Sequence, residues 1–200
     1  MRSLRMRSLC LGSAAVVCLV FLVVAPAMAD EWGSQDGNTG AHPDEDPHSY
    51  CLGSSVSADL EENIDAAAWN ALDPTQVNVN YSSTCQLTGA GETDVVWTQG
   101  NIASGALAWT DCDDYESDPP TNQCDQNYVR VDLATVNQGV DDEIDQTITT
   151  CHEFGHTAGL SHGSTQDDCM ENVSTSNPPN ALKWRRYSAH HIDDHINPWF

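Results

Sequence analysis

The chain is predicted to be an α+β protein, and three observations carry that prediction. Apolar residues recur at helical spacing early in the chain, across 58–72. Several short stretches between 77 and 136 then alternate apolar and polar residues, the pattern of half-buried strands. A second long helical stretch, 142–158, comes only after those strands and is followed by a turn and a last helix. Strands gathered between helical segments favour an α+β arrangement over a regular strand–helix alternation. Residues 50–200 give about 150 residues, the size of one domain with one core, and no internal repeat is visible.

The N-terminus carries Arg2, Arg5 and Arg7, then an apolar run from Leu9 to Ala25 and the small-residue site Pro26-Ala27-Met28-Ala29. This predicts a secretory signal peptide over 1–29, cut before Asp30. The alternative is an uncleaved membrane anchor. The whole chain has a formal net charge of −23. Beyond the leader only Arg130, Lys183, Arg185 and Arg186 remain basic, against all 30 acidic residues. Such a field repels nucleic acid and anionic membrane surfaces. No nucleic-acid or membrane partner is therefore expected after leader removal, and the chain is expected to be a secreted monomer. Most of its carboxylates read as solvated surface.

Residues 30–49 are rich in Asp, Gly, Pro and Asn, which predicts a flexible acidic arm or short pro-segment with His42 and His48 in solvent. The single predicted domain then begins at residue 50. In the first helix, 58–72, Leu60, Ile64, Ala68, Ala71 and Leu72 form the buried stripe. Asp59, Glu61 and Glu62 suit its positive end, and Asp73-Pro74 stops it. Val77, Val79 and Tyr81 alternate as a strand; Asp94–Thr98 and Gly105–Thr110 read as two more. Asp111–Gln126 reads as a loop, and Tyr128–Val136 as a further strand. The second helix is predicted from Asp142 to Ala158 with acidic residues at its start. Ser188 is placed to cap a final helix ending near Asn197-Pro198.

Chemistry concentrates at the end of the second helix, where residues 152–162 spell H-E-x-x-H-x-x-G-x-x-H. His152 and His156 are four apart, so a helix stacks them on one face. Two neutral imidazoles so placed can hold one Zn2+ at about 2.0–2.1 Å each. Glu153 points beside the metal and is the expected general base. Gly159 can take a left-handed backbone and end the helix, returning the chain so that His162 is the third ligand. Three protein ligands leave one vertex open, the catalytic arrangement. Met170, eight residues beyond His162, sits where sites with this long motif have a methionine turn.

Of the eight cysteines, Cys10 and Cys18 fall in the leader. The six others, Cys51, Cys85, Cys112, Cys124, Cys151 and Cys169, predict three disulfides in a secreted chain. Several pairings are open; the sequential one is expected. It would staple an acidic loop through Cys112–Cys124 and brace the metal site through Cys151–Cys169. No C-x-x-C pair marks a cysteine-ligated metal.

On His152, Glu153, His156, Gly159, His162 and Met170 the chain resembles the metzincin metalloendopeptidases, and among them the matrixins. The resemblance is sharp over 144–172 and architectural over the rest of 50–200. It implies a twisted, mostly parallel sheet with a backing helix, a zinc-site helix and a C-terminal helix. It implies one catalytic Zn2+ and a protein or peptide substrate, bound extended along a sheet edge at Gly105–Thr110. Glu171 and Asn172 stand where matrixins usually have Pro and Tyr, so the shape of the substrate pocket does not carry over. No cysteine lies between residues 19 and 50, so the usual propeptide latch is missing. The compact leader and that missing latch point to a bacterial exoenzyme.

The expected function is a secreted zinc endopeptidase; the alternative is a secreted binding protein on the same scaffold without activity. Ca2+ is a weaker expectation at Asp111, Asp113, Asp114, Glu116 and Asp118, which lack EF-hand spacing and read more readily as a solvated acidic loop. A second, histidine-ligated structural zinc is not expected upstream, since no histidine lies between His48 and His152. His190, His191 and His195 read as surface histidines, and Tyr187 is given no role. Asn80-Tyr81-Ser82 and Asn172-Val173-Ser174 are glycosylation sequons that matter only in a eukaryotic secretory pathway.

Overall fold

The structure is a computed structural model, and it describes residues 42–43, 47–115, 123–139, 141–162, 168–171 and 185–200. The leader, most of the predicted arm, Glu116, Asp118 and Asn172 lie outside the described residues.

The α+β prediction holds. Strands β1 (His42–Pro43), β2 (His48–Leu52), β3 (Val79–Ser82), β4 (Val95–Gln99), β5 (Ala108–Tyr115) and β6 (Gln123–Val131) form one six-stranded sheet. Its order is β1-β6-β4-β2-β3, with β5 also on β6. Every pairing is parallel except the antiparallel β5–β6 pair. Val95, Val96 and Trp97 of β4 are all buried, as expected where parallel strands are covered on both faces. Their register against β6 sets Val96 beside Tyr128 and Trp97 beside Val129.

Helix α1 (Ala58–Ala67) starts at Ser57, whose hydroxyl accepts from the Leu60 amide, and runs into a π-helical turn at Ala68–Leu72. The predicted stripe, Leu60, Ile64, Ala68, Ala71 and Leu72, is fully buried. A short helix α2 (Leu133–Val136) precedes α3 (Asp142–Thr157), and a π-helix covers His191–Ile196. The core joins α3 to the sheet through Phe154, whose ring meets Trp97 edge-on at 4.8 Å and Tyr50 at 5.6 Å. Helix α3 also grips α1 through polar side chains. Asn63 donates to Gln146 Oε1 and accepts from the Thr147 hydroxyl, both buried.

Five expectations are corrected. The stretch predicted as a loop, Asp111–Gln126, contributes to both arms of a hairpin, in which Thr110 pairs with Val129 and Asp111 with Tyr128. Its acidic composition reads as loop, but an edge strand tolerates charge on its outer face, and register shifts near Asp114 absorb the irregular pattern. The strand predicted as Gly105–Thr110 begins later, at Ala108, because Gly105 sits in a turn with φ +73°. The strand predicted as Tyr128–Val136 ends at Val131, since Asp132 caps α2 by accepting from the Thr135 amide. The predicted arm is not wholly outside the fold: β1 and the start of β2 lie within 30–49. His48 is buried rather than solvated. Its Nε2 lies 3.0 Å from the Thr157 hydroxyl at the end of α3, and its ring packs against Phe200.

All three sequential disulfides are present: Cys51–Cys85, Cys112–Cys124 and Cys151–Cys169. They fit an oxidising compartment. Among the described residues no helix is long and apolar enough to cross a membrane.

Candidate metal centre

Helix α3 begins where Asp141 accepts from the Ile144 amide, with Asp142, Glu143 and Asp145 in its first turn. Those charges oppose the helix dipole's positive end. Its other end stops at Gly159, φ +89°, a backbone shape that glycine adopts without strain. The Leu160 amide donates to the Gly155 carbonyl and the Gly159 amide to that of His156. This is the Schellman pattern that reverses a chain after a helix. The reversal carries His162 back toward α3, as the sequence predicted.

The three motif imidazoles converge. His156 Nε2 lies 3.1 Å from His152 Nε2 and 3.2 Å from His162 Nε2. Two nitrogens each about 2.0–2.1 Å from one tetrahedral zinc would stand roughly 3.4 Å apart, so the spacing suits a single ion. The other ring nitrogens decide the tautomer. His152 Nδ1 lies 2.7 Å from the Cys169 carbonyl, and His156 Nδ1 lies 2.8 Å from the Leu160 carbonyl. A carbonyl only accepts, so each Nδ1 carries the proton and each Nε2 turns a lone pair toward the other. Two lone pairs at that distance repel unless a cation lies between them. The donor set therefore fits a borderline divalent metal. Burial, together with the neighbouring imidazoles, holds His152 well below its ordinary pKa; burial brings His156 down to about 4. Both therefore stay neutral and able to ligate at physiological pH.

Glu153 is buried, and its Oε2 accepts from the Thr110 hydroxyl at 2.6 Å. Burial pushes its carboxyl up to about 7, against the lowering effect of that hydrogen bond. Thr110 lies on β5, so the edge strand and the candidate base are in direct contact. Among the described residues β5 pairs only with β6.

Met170 is fully buried under α3. A side chain at Gly155 would collide with the Met170 sulfur and come within 3.1 Å of the Tyr187 ring. The Cys151–Cys169 disulfide ties the residue before His152 to the residue whose carbonyl orients that histidine. Asp168 secures the same turn, accepting from the amides of Met170 and Ser188 and from His191 Nδ1. His191 partnership holds the Asp168 carboxyl below its usual range despite burial. Tyr187 lies beneath the helix and donates to the Cys151 carbonyl at 2.9 Å.

Sequence reasoning missed four supporting residues. Thr110, Tyr187 and His48 act through contacts far apart in sequence, which no local pattern encodes. Gly155 left a signal: a glycine inside a helix costs about 1 kcal/mol against alanine, so its presence marks a close approach. His191 and His195, predicted as surface residues, are buried, and His190 is half-buried. Of the predicted calcium cluster, Asp114 gathers with Glu92 and Asp125, their carboxylates within 4.8 Å of one another. Acidic groups of this kind are common at surfaces without an ion.

Compared with known proteins, the chain matches no family model and no curated protein.

Proposed function

We propose that the chain is a secreted, zinc-dependent endopeptidase of the metzincin kind, hydrolysing internal peptide bonds with Glu153 as general base. The observation that carries this reading is the convergence of three imidazole Nε2 atoms beside a buried glutamate hydrogen-bonded to an edge strand. His152, His156 and His162 would hold the ion. Zinc, when bound, supplies Lewis acidity that brings the pKa of water to about 7 and polarises a carbonyl.

The chain's own groups do the rest. The carbonyls of Cys169 and Leu160 keep two imidazoles in the ligating tautomer. Glu153 takes the proton that the attacking water loses and gives it to the departing amine nitrogen. Thr110 holds one carboxylate oxygen in place during that transfer. Met170 contributes an apolar floor and no ligand. The edge of β5 can take an extended peptide as an added strand, through main-chain hydrogen bonds.

The test is casein or peptide cleavage by the purified chain, with and without a chelator. Cleavage that is lost on chelation and restored by zinc supports the reading. Glu153→Ala should keep its zinc and lose hydrolysis. Full activity in that variant would refute the base. A wild-type chain that binds zinc but cleaves nothing would favour the inactive binding protein.

A further inference from the structure

At the C-terminal π-helix a second pair of imidazoles converges, outside the motif: His190, just before the helix, and His195 within it. His190 Nε2 and His195 Nε2 lie 3.2 Å apart, the same separation as the motif pairs. Their ring centroids are 4.8 Å apart and nearly perpendicular. The spacing in sequence is five, one more than an α-helix stacks on one face. The local helix explains it. In π-geometry hydrogen bonds run from i to i+5, as in the Asn197 amide donating to the Ile192 carbonyl. The widened turn brings residues five apart over one another. Such segments are frequent at functional sites.

One imidazole has its tautomer set. His190 Nδ1 lies 2.7 Å from Asp194 Oδ2. A carboxylate accepts, so Nδ1 carries the proton and Nε2 presents a lone pair toward His195. This carboxylate–histidine pairing is the arrangement that orients metal-binding histidines and raises their basicity. The pair is reachable from solvent, since the His190 side chain is 20 % exposed and Asp194 65 % exposed. The segment is also anchored at both ends. Ser188 accepts from the His191 amide and donates its own to Asp168, while Asn197 accepts from the Gln76 amide.

We propose that His190 and His195 form a second metal site, taking a borderline divalent cation such as Zn2+ through their two Nε2 atoms with solvent at the remaining vertices. Imidazole nitrogens suit zinc, copper and nickel and suit calcium and magnesium poorly. Asp194 is a positioning residue that acts through His190. An ion held there would clasp the C-terminal turn, and it would stabilise the folded chain in proportion to its concentration.

Native mass spectrometry of the full folded chain in a small zinc excess tests this. Two ions per wild-type chain are expected. His190→Gln and His195→Gln should each bind one, and His156→Gln should also retain one. Asp194→Asn should weaken the second ion about tenfold. His195 is nearly buried, so circular dichroism should accompany its variant; the more exposed His190→Gln carries the test if His195→Gln unfolds. One ion in the wild type, retained in His190→Gln, would overturn the proposal, as would two ions in both single variants. A wild-type chain holding one ion that His190→Gln removes would instead overturn the motif site and leave this one standing.

Discussion

The two histidine clusters bring Nε2 atoms to almost the same separation, 3.1–3.2 Å at the motif and 3.2 Å at the C-terminus, by different means. At the motif the orienting acceptors are backbone carbonyls of Leu160 and Cys169. One belongs to a Schellman turn and the other to a disulfide-linked residue, so neither can swing away without moving main chain. At the C-terminus the orienting acceptor is an exposed side chain, Asp194. The first cluster is pre-organised by covalent and backbone constraints, and it has a buried carboxylate next in sequence. The second is adaptable, has two histidines rather than three, and has no such base. If both proposals hold, the difference teaches that converging imidazoles can suffice to hold a metal, whereas chemistry needs a stiff frame and a proton acceptor beside it.

The sharpest way to break this comparison is Glu153→Ala. Hydrolysis should fall about 10²–10⁴-fold while zinc content stays at the wild-type value, measured by a peptide assay and metal analysis together. The frame comes next. Replacing Cys151 and Cys169 together by alanine opens an 18-residue loop. It should cost about 3 kcal/mol of stability and loosen the hold on zinc, read by calorimetry and by competition with a chromophoric chelator. An unchanged zinc affinity would mean that the carbonyl of Cys169 needs no brace.

His48, buried against Thr157 at the end of α3, should make the fold acid-sensitive. Burial lowers the His48 pKa from 6.5 to about 4. The folded state then binds fewer protons than the unfolded state between those values, so stability rises with pH across that window. The contribution is complete above pH 6.5 and is lost as pH falls toward 4, by about 3 kcal/mol. In His48→Gln the loss of stability between pH 6.5 and 4 should shrink, as followed by denaturant unfolding at several pH values. Gly155→Ala, which would drive a methyl into Met170, should destabilise by about 2 kcal/mol, seen as a lower melting temperature. Thr110→Val should have the smallest effect. It removes one hydrogen bond to Glu153 and should lower kcat/KM about tenfold, with Thr110→Ser restoring most of it.

What the sequence made legible follows from range. The motif, the helix-ending Gly159 and the stripe of 58–72 are local patterns, and each folds as its spacing requires. The sequential disulfides were readable because each cysteine bonds the next one along the chain. The β5–β6 hairpin was hidden because Asp111 and Asp114 carry the composition of a loop while pairing as an edge, with Asp113 at the register shift between them. Thr110 meets Glu153 across 43 residues and His48 meets Thr157 across 109. Such contacts depend on how the sheet is ordered, and the one-dimensional pattern contains no trace of that order. The C-terminal histidines read as surface because no local pattern shows that their segment packs on Asp168, which meets His191 across 23 residues.

X-ray absorption at the zinc edge, on the purified chain loaded with one equivalent of zinc, tests the central claim most directly. The expected spectrum has three imidazole nitrogens at about 2.0–2.1 Å and one oxygen from solvent, and it changes in His162→Ala. A spectrum with two imidazoles, with a fourth protein ligand closing the site, or identical in the wild type and His162→Ala would contradict it.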